Sequence, residues 1–332
     1  MVSETGGAGC DAGERRIRFA HGAPAQGHPI GEAARRFAVS VNRDLDGRVC
    51  VELVAAGAQA TDDAALAALR AGEAEMAAPR AAALESLAPG LRIFDIPFLF
   101  KSRADAMWFQ RSGAGQRLKR ASDGAVKGLA FWNAGMTHLS AVAPITRPGA
   151  LAGLRVADRG GALAGVYLER VGAERVEAPA LRAALVGDAQ SAPEAAAAPD
   201  ADAAAVDADV LEATWPDLDL GAPAMRLGPL TETGHALAAH LVVVSAAFWE
   251  AAPRADQLAL SQIMARVTAQ SVEASAALEE AHRRALVQAG ARIYSLSEED
   301  RAAWEAAFEP LWREEAARFG QPLLDEALAA RR

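Results

Sequence analysis

The strongest constraint on this chain is a change of hydrophobic period close to its start. Arg16-Ile17-Arg18-Phe19-Ala20-His21 alternates polar and apolar, the period of a half-buried strand. From Gly31 the period lengthens: Ala34, Phe37, Ala38, Val41 and Leu45 fall on one helical face. After Gly47 the alternation returns at Val49, Val51 and Leu53. Thr61-Asp62 then caps a second helix carrying Leu66 and Leu69, closed by Gly72. Strand, helix, strand, helix predicts βαβ units and an α/β fold on a largely parallel sheet.

The alternation of elements continues downstream. Ile93 to Phe100 is apolar and aromatic around Pro97, with Phe98 and Phe100 expected in a core. Ser102 with Asp105 opens a helix bearing Met107, Trp108 and Leu118. Gly128–Trp132, Leu154–Ala157 and His240–Val244 read as strands, and Ala162–Val171 and Ala180–Leu185 as helices. Residues 188–207 are mostly Ala, Asp and Pro with no periodic apolar face, the composition of an insertion. Gln257–Gln288 predicts one very long helix ended by Gly290. Ser297 with Asp300 forms a second capping box before the stripe Trp304, Phe308, Leu311, Trp312 and Phe319. At 332 residues, two domains are expected, since single cores stop growing near 250–300 residues.

Composition excludes several classes. The formal net charge of −9, with no basic run, argues against nucleic acid as a partner. No apolar stretch of about 18 residues exists, so nothing predicts a membrane-embedded protein. The six histidines, His21, His28, His138, His235, His240 and His282, do not pair at helical metal-ligand spacing, and no metal or cofactor is implied. Gly160 to Gly165 follows a strand but lacks the spacing of a phosphate-binding loop, and there is no G-x-S-x-G elbow. Nothing predicts an enzyme. Residues 1–15 read as a disordered lead-in without a secretory leader, consistent with a replaced leader or a cytoplasmic protein. Gly9-Cys10 resembles a lipoprotein cleavage site weakly, lacking the apolar run before it. Cys10 and Cys50 are the two cysteines; a disulfide between them is possible but unsupported, since sequence does not show whether their Cα atoms come within bridging range.

Several segments taken together carry a resemblance. They are Gly47 to Leu53 with Gly57, Gln59 and Leu66 to Gly72; Ile93 to Phe100 with Gly128 to Trp132; and Pro144 to Pro148 with Leu151 to Val156. Leu241 to Ser245 with Phe248-Trp249, and Tyr294 to Ser297 with Trp304, complete the series. In order and spacing, from about Arg16 to Phe319, they resemble the DctP-type solute-binding proteins of tripartite ATP-independent periplasmic (TRAP) transporters. The resemblance implies a two-lobe periplasmic binding protein-like (type II) fold with a lobe-bridging helix and a ligand cleft. It implies capture of a small, carboxylate-bearing solute by lobe closure, a periplasmic location, and TRAP membrane subunits as partners. The alternative is a ligand sensor or degenerate binding protein on the same scaffold. The expected division is 16–140 with about 231–265 in one lobe, 141–230 with about 266–320 in the other, and a tail at 321–332.

The resemblance also nominates site residues and shows where this chain departs. The family places a carboxylate-gripping arginine where Ala157 stands here. Arg159, two residues on and on the same strand face, is the candidate substitute, or else a solvated strand end. Arg80, after Pro79 in an expected cleft loop, is the second candidate cation. Asn133 and Thr137 stand in the run Trp132-Asn133-Ala134-Gly135-Met136-Thr137, where Asn133 reaches a ligand or caps a turn. Asp209-Val210-Leu211-Glu212 with Trp215-Pro216 contributes Glu212 and Trp215, the latter facing a ligand or packing in a core. His21, ending the first strand, completes the set.

Overall fold

The computed structural model describes residue 10 and residues 13–55, 62–121, 123–158, 162–176, 208–220 and 228–332. Its first elements are β1 (Arg15–His21), α1 (Pro29–Asp44), β2 (Val49–Ala55), α2 (Asp62–Arg70) and β3 (Met76–Ala77), and β1 pairs in parallel with both β2 and β3. The opening change of period is thus a βαβαβ unit, with Ala34, Phe37, Ala38 and Val41 of α1 buried against the sheet. Pro29 is the first residue of α1. A missing N–H is harmless there, and buried His28 caps the helix by accepting the Ile30 N–H at 3.3 Å.

Next come α3 (Arg103–Arg111) and α4 (Gly113–Lys119), then β4 (Val126–Ala141). The short strand expected at Gly128–Trp132 is only the start of β4, which runs for 16 residues. Beyond it lie β5 (Arg155–Ala157), α5 (Ala162–Arg170), β6 (Glu174–Val176), β7 (Val210–Thr214), α6 (Trp215–Leu220), β8 (Leu230–Glu232) and β9 (Leu237–Ser245). The chain closes with α7 (Ala246–Ala251), α8 (Arg254–Gln288), β10 (Ile293–Ser295), α9 (Glu298–Phe319) and α10 (Gln321–Ala329).

Among the described residues the strand order is β2-β1-β3-β9-β4-β7-β5-β6, with β8 also on β4 and β10 on β8. β4 divides this sheet. Its residues up to Met136 pair antiparallel with β9, and Thr137 to Ala141 pair with β7. The change of partner follows a bulge between Asn133 and Met136, where Gly135 has φ 125°. A β-carbon at Gly135 would approach Glu279 Oε1 to 2.6 Å, so only glycine fits. On one side lies the β2-β1-β3-β9 sheet and on the other the parallel β7-β5-β6 set. This is the expected two-lobe α/β architecture, with β4 common to both lobes.

Helix α8 spans the division. It has 35 residues, about 52 Å at 1.5 Å per residue. Asp256 and Arg266, early in α8, bind Arg48 and Asp44 at the β2 end. Near its middle, Thr268 accepts the Trp132 indole N–H (3.0 Å), and Ser275 donates to the Asn133 carbonyl (3.1 Å). Glu279 then accepts the Met136 N–H at 3.1 Å and pairs with Arg103 at 3.3 Å, gripping the β4 bulge. His282 and Arg283, further on, reach Asp219 of α6 and Glu232 of β8. Helix α9 has the reciprocal Ser297–Asp300 capping box and buries Trp304, Phe308, Leu311 and Trp312. Residues 321–332, expected as a tail, instead include α10, which buries Leu324 and Ala327.

Cys10 and Cys50 form a disulfide, with their Cα atoms 5.6 Å apart, so the end of the lead-in is stapled to β2. From sequence alone this bridge was possible but unsupported, because linear spacing does not report Cα proximity. The sulfur of Cys10 is therefore not available for a lipid anchor. Across the 40-residue separation, the loop-entropy relation assigns such a bridge between about 3 and 4.7 kcal/mol. A Cys10→Ser/Cys50→Ser variant is expected to melt several degrees lower in differential scanning calorimetry; an unchanged melting temperature would show the staple to be dispensable. The Ala180–Leu185 helix, the 188–207 insertion and the Thr61 cap lie outside the described residues.

Candidate functional site

The segment after β3 is laid against β9. Pro79 O accepts the Leu241 N–H at 3.0 Å, the His240 ring meets Ala78 O at 2.9 Å, and Arg80 forms an isolated bridge to His240. Pro79 has no N–H to donate, which suits it to such an irregular strap. Fixed in this way, Arg80 donates from Nε to Asp62 Oδ2 at 2.8 Å. Burial works against both charges of the pair. It is outweighed at Arg80 by Asp62 and Asp95, which push the guanidinium pKa up. At Asp62, Arg80 and His240 outweigh burial and hold the carboxyl below its ordinary value. The pair is therefore ionised.

The second lobe supplies the facing wall. Glu212 stands on β7 opposite Leu139 of β4, and Tyr167 comes from α5. The Tyr167 hydroxyl donates to Glu212 Oε2, and the His235 Nε2 lies 3.3 Å from the same oxygen. Burial would raise the Glu212 pKa, but His235, the Tyr167 hydrogen bond and Arg80 hold it below the ordinary value. Burial and the charge of Glu212 push the Tyr167 phenol well above its usual range, so it stays a donor. Thr137, the first β4 residue to pair with β7, donates to Ala236 O at 3.3 Å.

These groups surround one cavity of about 30 Å³, lined by Arg80, Asp95, Thr137, Tyr167, Glu212 and residues 236–238. That is room for one or two waters. A second cavity of about 10 Å³ shares Tyr167 and Glu212, has Thr233 and His235 on its wall, and is otherwise lined by apolar residues such as Phe98, Trp304 and Phe308. Phe98 takes φ 56°, unusual for a non-glycine residue. Its ring stacks on Trp304 and Phe308 at 5.2 and 6.1 Å, which holds the strained backbone in place.

Of the residues nominated from sequence, Arg80, Thr137 and Glu212 come together at this cavity. Asn133 does not. Its amide exchanges reciprocal hydrogen bonds with Gln110 at 2.9 and 3.1 Å, at the bulge gripped by α8. Trp215 is buried at the start of α6, stacked on His138 at 3.9 Å, which is the core-packing alternative. His21 is buried edge-on to Phe19 and does not line the cavity. Arg159 lies outside the described residues. Asp95, Tyr167 and His235 were missed. Asp95 did leave a trace, as the one charged residue in the apolar run Ile93 to Phe100. Tyr167 and His235 carried no local signal, because their place depends on how β4, β7 and α5 converge.

Among the described residues, the one grouping close enough to hold a metal ion is Cys10, Glu14 and Cys50, and there the two sulfurs are bonded to each other. No helix among them is long and apolar enough to cross a membrane.

Comparison with known proteins agrees with this architecture. The chain is 30% identical to the C4-dicarboxylate-binding periplasmic protein DctP of Vibrio cholerae, over 99% of this chain and 95% of that protein. It is 25% identical to the DctP of Rhodobacter capsulatus, over 95% and 90%. Its fold superimposes with a TM-score of 0.82 on a TRAP periplasmic solute-binding protein from Shewanella oneidensis with bound succinate. That pair is 23% identical and covers 96% of this chain and all of the other. A Pseudomonas aeruginosa counterpart with bound L-malate gives 0.77 at 28% identity, covering 90% and 99%. The pattern describing bacterial extracellular solute-binding proteins, family 7, matches residues 19–180 and 228–318. With two lobes on a common strand, a polar cavity between them and this match over most of its length, the chain belongs to the DctP family of bacterial extracellular solute-binding proteins, which bind solutes and do not transform them.

Proposed function

We propose that this chain is the extracytoplasmic receptor of a TRAP transporter, closing its lobes over a small carboxylate-bearing solute and presenting it to the membrane subunits. The observation that carries the reading is the composition of the cavity wall: Arg80 from the β3 strap, Thr137 at the β4 changeover, and Tyr167 and Glu212 from the second lobe. A solute touching all of these is held fully only when the lobes are together, so binding favours the closed state. Arg80 is the carboxylate anchor, its fork suited to bidentate pairing. A cavity of about 30 Å³ does not admit an organic acid until the lobes part or Tyr167 turns. Loading therefore requires the lobes to part, and the closed complex requires Tyr167 to turn so that the space can hold the solute. Bound succinate and L-malate in related proteins support the carboxylate. The Cys10–Cys50 disulfide supports an oxidising compartment such as the periplasm.

The test is calorimetric titration with succinate, malate, galacturonate and amino-carboxylates, alongside small-angle scattering of the same samples. At least one ligand is expected to bind and to reduce the radius of gyration by favouring closure. Failure of every carboxylate to bind would overturn the reading.

A further inference from the structure

Away from the cavity, one histidine ties the two lobes together. His282, near the end of α8, is buried between α6 of the second lobe and the turn that links β1 to α1 in the first. Its Nδ1 lies 2.7 Å from Asp219 Oδ2, and its Nε2 lies 2.8 Å from the Gly27 carbonyl oxygen. A carboxylate and a backbone carbonyl can only accept hydrogen bonds. Both ring nitrogens must therefore donate, which requires the doubly protonated ring. Gly27 presents its carbonyl from a left-handed conformation, φ 74°, and its own N–H goes to Glu32 at 3.3 Å. The adjacent histidine shows the contrast. His28 accepts the Ile30 N–H on Nδ1, so its one proton sits on Nε2, 3.5 Å from Asp217 Oδ1 of α6. That rung is complete with a neutral ring; the His282 rung is not.

The other ionisable groups that these elements bring near the ring have partners of their own among the described residues. On α8, Glu279 pairs with Arg103, Glu280 with Arg284, and Arg283 with Glu232 of β8. On the first lobe Glu32 pairs with Arg35, and His28 faces Asp217. His138 of β4, stacked on Trp215 of α6, is pushed well below its ordinary pKa by burial. We propose that His282 is a proton-dependent latch between the lobes: doubly protonated, it ties Gly27 of the first lobe to Asp219 of the second, and loss of one proton releases the first lobe. The neutral ring keeps its remaining proton on Nδ1, where Asp219 offers the stronger, charge-assisted bond. Nε2 then turns a lone pair on the Gly27 carbonyl, and two acceptors at that distance repel. The contact given up is the one between lobes. Closing therefore takes up a proton. Histidine changes charge across the neutral range, so by linkage the joined state gains as pH falls through that range and loses as pH rises.

The test uses the full chain with its disulfide intact and free of solute, so its outcome is independent of the carboxylate titrations above. Small-angle scattering reads the open-to-closed ratio between about pH 6 and about pH 8.5. The ratio is expected to rise roughly five-fold toward alkaline pH, the worth of one hydrogen bond. His282→Gln is expected to flatten that response. In Asp219→Asn the amide can donate to Nδ1, which leaves the neutral ring free to donate from Nε2 to Gly27. This variant is expected to stay latched at alkaline pH, whereas a merely structural role for Asp219 predicts opening at every pH. A ratio that does not move with pH in the unaltered protein overturns the proposal. An equal response in His282→Gln assigns the proton to another group and overturns it too, as does an Asp219→Asn variant that opens. Should His282→Gln fail to fold, Asp219→Asn and the ring nitrogen NMR shifts of the unaltered protein decide the matter. A singly protonated His282 ring in the closed form at about pH 6 overturns the latch.

Discussion

Replacing Arg80 with methionine is expected to abolish measurable solute binding and to destabilise the protein by about 3–5 kcal/mol. The stability loss follows because Asp62 is left largely buried without the guanidinium now 2.8 Å away. The binding loss follows because Arg80 is the only cationic side chain among the described residues that line the cavity. The two effects separate in a double variant. Arg80→Met with Asp62→Asn removes the uncompensated charge and is expected to recover much of the stability but none of the binding. Urea unfolding and titration calorimetry on both variants check this. If the single variant binds its solute normally, Arg80 is not the anchor.

The second large effect is expected at Phe94, which is fully buried at the meeting of three aromatic partners. Its ring lies 5.3 Å from Phe131, 5.8 Å from Phe109 and 6.2 Å from Phe100. Truncation to alanine removes the transfer energy of the ring, opens a cavity and breaks the three pair contacts. Losses for phenylalanine in such positions run about 3–5 kcal/mol, and the pair contacts place this one toward the upper end. Phe94→Leu refills part of the volume and is expected to lose less than half as much. A denaturation midpoint unchanged in Phe94→Ala would contradict the packing described here. Phe131→Ala combined with Phe94→Ala should cost less than the sum of the two, because each removes the same contact.

Much of the fold was legible before the structure. The βαβ opening, the long helix, the Ser297 cap and the α9 stripe are local patterns, and each reappears within a few residues of its expected bounds. The missed strands were β3, β6, β7, β8 and β10, with 2, 3, 5, 3 and 3 residues respectively. Strands that short are too brief to show a period and are stabilised by neighbours remote in sequence. β4 was underestimated for a related reason. It alternates poorly because nearly every residue is buried, and its bulge interrupts the pattern at Gly135. At the candidate site, Arg80, Thr137 and Glu212 were reached by resemblance. For Asn133 and Trp215 the sequence left a ligand contact and a structural role both open, because their engagement with Gln110 and with His138 is a tertiary fact.

Local hydrophobic order along the chain determined that it would build α/β lobes and one helix long enough to span them, since period and capping act between near neighbours. Only the tertiary structure decided which polar groups share a buried space. That outcome depends on β4 changing partners at its bulge and bringing Glu212 and Tyr167 across from Arg80, residues far apart in sequence whose burial and pairing no local pattern encodes.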